Sequence, residues 1–165
     1  MKIRVIAAAA LALAIALPVQ GHAQWALNTH GGYDLDASEF LIGAGVEFSI
    51  PGVAISGVPL TFAPGFDFYP GIDGVSYFVM DFDAHYPFQA KGLTPYIGGG
   101  MYVSRVSVDI PSFGSVSDTN VGLNLKGGAS FGTSSKVRPF TEARLRMGNS
   151  STLILKAGLS IKLGS

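Results

Sequence analysis

Residues 153–163, LILKAGLSIKL, alternate without a break. Leu153, Leu155, Ala157, Leu159, Ile161 and Leu163 share one side of an extended chain, and Ile154, Lys156, Gly158, Ser160 and Lys162 share the other. A period of two is what a β-strand with two different faces imposes, because successive side chains leave the backbone in opposite directions. Alternating or strand-like runs of this kind occur eight times, over 25–33, 39–50, 58–69, 75–88, 93–108, 118–132, 137–148 and 152–163. Between them lie DLDAS, PGVAISG, YPGIDG, QAKG, DIPSFGSVS, TSSK and GNSS, which carry the glycine, proline, serine and aspartate of turns. The pattern predicts an all-β chain, with eight antiparallel strands running up and down and closing on themselves by pairing the first with the last.

The two faces of each run differ in kind. Phe40, Ile42, Ala44, Val46 and Phe48 oppose Leu41, Gly43, Gly45 and Glu47. Phe78, Met80, Phe82, Ala84, Tyr86 and Phe88 oppose Val79, Asp81, Asp83 and His85. Val121, Leu123, Leu125 and Phe131 oppose Asn120, Asn124, Lys126 and Ser130. Val137, Thr141, Ala143, Leu145 and Met147 oppose Arg138, Phe140, Glu142, Arg144 and Arg146. Five or six side chains on one face match the 9–11-residue tilted strand that crosses a bilayer. Eight is also the smallest strand number that bacterial membrane barrels use.

Composition narrows the class. Charged residues are 13% of the chain, against about 25% in soluble domains, and glycine is 22 of 165. The first residues, MKIRVIAAAALALAIALPVQGHAQW, place Lys2 and Arg4 before an uncharged apolar run from Val5 to Leu17, with small residues at Gly21 and Ala23. That is the layout of a secretory signal peptide, 1–23, cleaved after Ala23; the run is too short for a membrane anchor, which needs about 20 residues. The remaining 24–165 form one domain. Loss of Lys2 and Arg4 leaves 9 basic and 11 acidic residues and a net charge of −2. No basic block suits a nucleic acid, and the lack of cysteine excludes disulfides and thiolate metal sites.

The ionic residues decide which face points inward. Glu47, Asp67, Asp81 and Asp83 lie on the second to fourth runs; Lys126, Arg138, Arg144, Arg146, Lys156 and Lys162 lie on the sixth to eighth, with Glu142 among them. In an eight-stranded barrel these sectors face one another across a bore that side chains can fill. Enclosed, they form an interior ionic network of eleven groups. Buried charges are tolerated only when paired and hydrogen-bonded. The opposite face (Phe40, Ile42, Val46, Phe48, Phe78, Met80, Phe82, Val121, Leu123, Leu125, Leu145, Leu153, Leu155, Leu159, Ile161 and Leu163) then meets lipid. Trp25, Tyr33, Phe40, Phe48, Phe68, Phe78, Tyr86, Phe88 and Phe131 fall near strand ends on that parity, as interfacial belts require. Gly43, Gly45, Gly98, Gly100, Gly122 and Gly128 fall inward, where they either leave room for the arginines opposite or ease strand bending. Pro64 interrupts the third run and implies a bulge at Pro64-Gly65 or a later strand start. Arg105 is on the apolar parity, at the level of the outer headgroups.

With these features the chain resembles the small outer-membrane β-barrels of Gram-negative bacteria, the group of the outer membrane protein A barrel, protein X and the opacity-like proteins. TPYIGGGMYV (94–103), VRPFTEARLRMG (137–148) and LILKAGLSIKL look like strands of that family. The resemblance implies a monomer in the cell outer membrane, surrounded by its lipid and recognised by the outer-membrane assembly machinery. It also implies a closing aromatic residue, which the ending IKLGS lacks.

Four activities compete with a non-enzymatic envelope role. Lipid-modifying members of the family use a histidine with a serine near the membrane surface. Here His30 and His85 follow residue 24, His85 shares its face with Asp83, and no serine can be assigned to it. Asp81, Asp83 and His85 share a face at alternate positions, but a third ligand would have to come from another strand, and salt-bridged carboxylates are the simpler expectation. A small-solute pore needs an open lumen, whereas eleven charges and Phe140 fill one. A soluble exported barrel that binds a hydrophobic ligand would have the same alternation with the faces exchanged. The sequence calls for no cofactor and no metal, and its outward loops are short; only the third, with Ile110, Pro111 and Phe113, presents an apolar tip.

Overall fold

The computed structural model describes residues 25–71, 75–88, 90–110, 114–132 and 136–163. The expected signal peptide, the loop tip at Pro111 and Phe113, and the last two residues lie outside them. Eight strands run β1 (Trp25–Asp34), β2 (Glu39–Ile55), β3 (Val58–Tyr69), β4 (Val75–Pro87), β5 (Leu93–Ile110), β6 (Gly114–Phe131), β7 (Val137–Met147) and β8 (Ser151–Leu163). Each pairs antiparallel with its sequence neighbours, and β1 pairs with β8, from Trp25 opposite Leu163 to Asp34 opposite Ile154, so the sheet closes. No helix among the described residues is long and apolar enough to cross a membrane; a closed barrel, whose neighbouring strands pair their backbone groups, is the other route through hydrocarbon.

Strand parity matches the alternation. Even-numbered residues of β1, β6, β7, β8 and of β5 up to Val108, and odd-numbered residues of β3, β4 and of β2 up to Ser49, point inward. The outward side is apolar over most of its length, with Arg105 donating to Ser117 towards the far end: Phe40, Ile42, Phe82, Val121, Leu123, Leu125, Leu153, Leu155, Leu159 and Leu163 are all exposed at the barrel surface. Aromatic pairs gather towards both ends of this surface. Trp25 stacks on Phe48 and Phe48 on Phe62, with Tyr86 against Phe88, at the end that holds Trp25 and Leu163 (the near end). Tyr33 meets Phe40, and Phe66 meets Phe78, towards the far end.

Three local expectations change. Pro64 makes no bulge: β3 is unbroken, its ladder to β4 is continuous, and Pro64 sits opposite Phe82. The missing N–H falls where the β2–β3 ladder skips two pairs between Gly45↔Gly65 and Phe48↔Phe62 without a change of register. The irregularity lies instead at Pro51-Gly52. Between Ser49↔Thr61 and Ala54↔Pro59, β2 spends four residues against one on β3, and Gly52 takes φ +88°. Pro-Gly, read as a turn, is thus a bulge, and the true turn is Ser56-Gly57 at φ +49° and +79°, the left-handed pair that a tight hairpin demands. Likewise β5 and β6 continue to the pair Ile110↔Gly114, so the third loop is reduced to 111–113 and much of DIPSFGSVS is strand.

Candidate functional site in the barrel lumen

The interior has three layers. At the far end Leu41, Tyr69, Val79, Tyr102 and Ile154 form a buried cluster with Tyr77 against it. Asp34 closes this layer from above: it accepts hydrogen bonds from the Tyr69 hydroxyl at 3.2 Å, from the backbone N–H groups of Asp36 and Ala37, and from the Thr152 hydroxyl. Alternation alone did not reveal this layer, because Leu41, Val79 and Ile154 are as apolar as their outward neighbours.

The middle layer is ionic. Asp67, Asp81, Asp83 and Glu142 meet Lys126, Arg144, Arg146 and Lys156, and all eight are buried. Four carboxylates against four cations leave this layer neutral. Asp67 accepts from Arg146 Nη2 at 2.5 Å, Lys156 Nζ at 2.6 Å and His30 Nε2 at 2.6 Å. Asp81 accepts from Arg146 Nη2 at 3.0 Å and pairs closely with Arg144. Arg144 spans onward to Asp83 at 2.8 Å and to Glu142 through Nε at 3.0 Å. Lys126 lies 3.5 Å from both Asp83 and Glu142, and Asn124 donates to Asp81 and Asp83 at 2.9 Å each. The acids of β3 and β4 thereby reach cations of β6, β7 and β8 across the bore. Arg146, 1% exposed, ties this layer to the one above by donating to the Tyr69 hydroxyl and lying 5.6 Å from the centre of the Tyr102 ring.

The remaining three ionic positions are elsewhere. Glu47, Arg138 and Lys162 are only half-buried and line a chamber of about 550 Å³ at the near end. Ser160 donates to Glu47 at 3.3 Å.

The inward glycines do make room, but not for arginines opposite. Gly43, Gly98, Gly100 and Gly128 each sit between two larger residues on the strands to either side. His30 is in register with Gly43, and Gly43 with Asp67, so the imidazole reaches over β2 to the carboxylate. Tyr96 is in register with Gly128, and Gly128 with Glu142; the Tyr96 hydroxyl crosses β6 to donate to Glu142 at 3.1 Å. A Cβ on Gly128 would lie 2.6 Å from the Tyr96 hydroxyl, and one on Gly43 would lie 2.6 Å from Asp67 Oδ1.

The histidines also differ from expectation. The imidazole that meets a carboxylate is His30, not His85. His85 stacks on Tyr96 with ring centres 4.5 Å apart, and its Nδ1 has no hydrogen-bond partner among the described residues. Asp81 and Asp83 are engaged by arginine, lysine and asparagine, so the Asp81, Asp83, His85 row is drawn into the salt-bridge layer rather than left open to an ion. The interior tyrosines 69, 77, 96 and 102 escaped the sequence analysis, as did the pairing of His30 with Asp67; tyrosine reads as an apolar or belt residue until its cross-strand neighbour is known.

No protein-family model and no curated protein matches the sequence. Solved structures match over most of the chain. The N-terminal β-barrel domain of Pseudomonas aeruginosa OprF aligns with TM-score 0.68 at 15% identity, covering 85% of this chain and 97% of that one. Neisserial surface protein A aligns with TM-score 0.60 at 20% identity, covering 86% and 96%. The outer membrane enzyme PagL aligns with TM-score 0.51 at 16% identity, covering 85% and 99%. Closed topology, strand number and these alignments agree: the chain has the fold of the small eight-stranded outer-membrane β-barrels.

Proposed function

We propose that this chain is an integral outer-membrane protein whose role is structural: a stable body with short surface loops, a sealed interior and no catalytic activity. The observation that carries the reading is the inversion of the usual polar distribution. Nine charged side chains among the described residues are enclosed, while Phe40 is 69% exposed and Leu123 58% exposed on an apolar band. In water such a band is a site of aggregation; in hydrocarbon it is the matching surface, with aromatic residues near both boundaries. With both termini on the periplasmic side, the near end opens to the periplasm and the far end to the outside. The outward connections after β1, β5 and β7 are then three or four residues long.

The absence of catalysis is supported by where the two histidines sit. His30 faces Asp67 inside the barrel and His85 lies against Tyr96, so neither is presented on the outer wall to a lipid. PagL is an enzyme on a barrel of the same kind, and the fold alone does not decide activity.

The test is fractionation with gel mobility. The processed protein is expected in the outer-membrane fraction, to require detergent for extraction, and to migrate differently before and after boiling. Recovery from the periplasmic supernatant without detergent would overturn the reading.

A further inference from the structure

The β2–β3 hairpin leaves the barrel at the near end. β2 has its last β1 partner at Glu47↔Ala26, and β3 has its first β4 partner at Thr61↔His85. Beyond those pairs the two strands hold only each other, through Ala54↔Pro59 and Ile55↔Val58. This projecting ribbon is uncharged, since no ionic residue occurs from Ser49 to Phe66. Val53 is 38% and Ile55 54% exposed on it. Its base is the stack of Trp25, Phe48 and Phe62 on the outward side of the wall, so the ribbon continues the apolar band of the barrel. Pro51 and Pro59 lie one on each strand, and proline offers no N–H to a further strand. The ribbon is thus apolar yet poorly suited to strand addition, by another protein or by a second copy. The other near-end connections are basic. QAKG and TSSK contain Lys91 and Lys136 and no acid, and both lysines are exposed. The far-end connections, DLDAS, YPGIDG, DIPSFGSVS and GNSS, contain Asp34, Asp36, Asp73 and Asp109 and no base.

We propose that the near-end ribbon is an interfacial anchor: it lies in the leaflet on the near side, with Val53 and Ile55 among acyl chains and with Lys91 and Lys136 on the phosphates of anionic phospholipid. An apolar segment bordered by lysines is the composition that holds a lipid surface, the first by burial and the second by attraction to anionic headgroups. The bulge at Pro51-Gly52 gives β2 a place to turn towards the membrane plane, since a bulge bends the strand that carries it. The proposal rests on the membrane-spanning reading of the barrel.

The test uses the full folded barrel in lipid nanodiscs, read by NMR with two paramagnetic agents: a spin label near the top of the lipid acyl chain and a gadolinium chelate confined to water. The Val53 and Ile55 methyls are expected to broaden with the lipid label, as those of Leu163 do on the barrel wall, and to be spared by the chelate. Replacing phosphatidylcholine by mixtures with phosphatidylglycerol is expected to shift the Lys91 and Lys136 amides saturably. Ile55→Asp is expected to release the ribbon and raise chelate broadening at Val53 about twofold or more, with the gel mobility of the folded barrel unchanged, because residue 55 has no partner on β1 or β4. Should Ile55→Asp not fold, the wild-type labels carry the test alone. Broadening of Val53 and Ile55 by the chelate, while Leu163 answers the lipid label, overturns the anchor and leaves the membrane barrel standing; failure at Leu163 as well overturns both. Cross-peaks at Val53 or Ile55 between differently labelled copies, or identical Lys91 and Lys136 spectra in the two lipids, would also overturn the anchor.

Discussion

At the residue scale, the interior is written as triplets across strands, large–glycine–large. The sequence shows that Gly43 and Gly128 lie on the inward parity, but not what passes over them. That depends on register, and register is a property of two strands at once. A consequence separates this role from simple backbone ease. Gly43→Ala places a methyl against Asp67 and His30 and is expected to cost about 1–3 kcal/mol, the usual penalty of overpacking. Gly65→Ala is the control, since its methyl meets only the Ala44 carbonyl oxygen at 3.6 Å, an ordinary contact. Urea unfolding of both variants in micelles measures the difference; equal stability would remove the steric argument.

At the level of elements, alternation located all eight strands because each has one predominantly apolar face. It failed where chemistry overlaps. Pro51-Gly52 serves a bulge as readily as a turn, and DIPSFGSVS holds turn residues that the longer β5–β6 ladder absorbs. What alternation could not convey is how non-adjacent strands are tied. Asp81 of β4 and Arg144 of β7 meet across the lumen, so their pairing resists opening of the sheet. Asp81→Asn leaves several cations underpaired and is expected to destabilise the barrel by about 3–5 kcal/mol, and Arg144→Gln likewise. The double variant is expected to lose less than the sum; strict additivity in a denaturant cycle would mean that the two groups act independently. On the outward face of β8, Leu159→Arg is expected to cost about 2–4 kcal/mol of folding into bilayers if the residue lies near the midplane, whereas Ser160→Ala, one residue away and inward, is tolerated. Equal effects would dissociate parity from lipid contact.

For the whole molecule, the layers set what the barrel can and cannot do. An aromatic and aliphatic layer at the far end and an ionic layer in the middle occupy the bore with buried side chains, so reconstituted protein is expected to show no stable open channel in planar bilayers. A sustained unitary conductance would refute the sealed lumen. The charge content of this interior was legible in the sequence as a segregation of acids and bases between early and late strands. Its division into a packed ionic layer and an open near-end chamber was not, because Glu47, Arg138 and Lys162 share the parity of the other eight and differ only in height along the axis. The claim on which location and role both rest is that hydrocarbon surrounds the apolar face. The most direct measurement is of lipid contact in nanodiscs, by nuclear Overhauser effects from acyl-chain protons to protein methyls. Strong cross-peaks are expected at Leu153, Leu155 and Leu159, and none at Ile154, which sits between the first two on β8 but is fully enclosed. Contacts at Ile154, or water rather than acyl protons beside the three leucines, would contradict it.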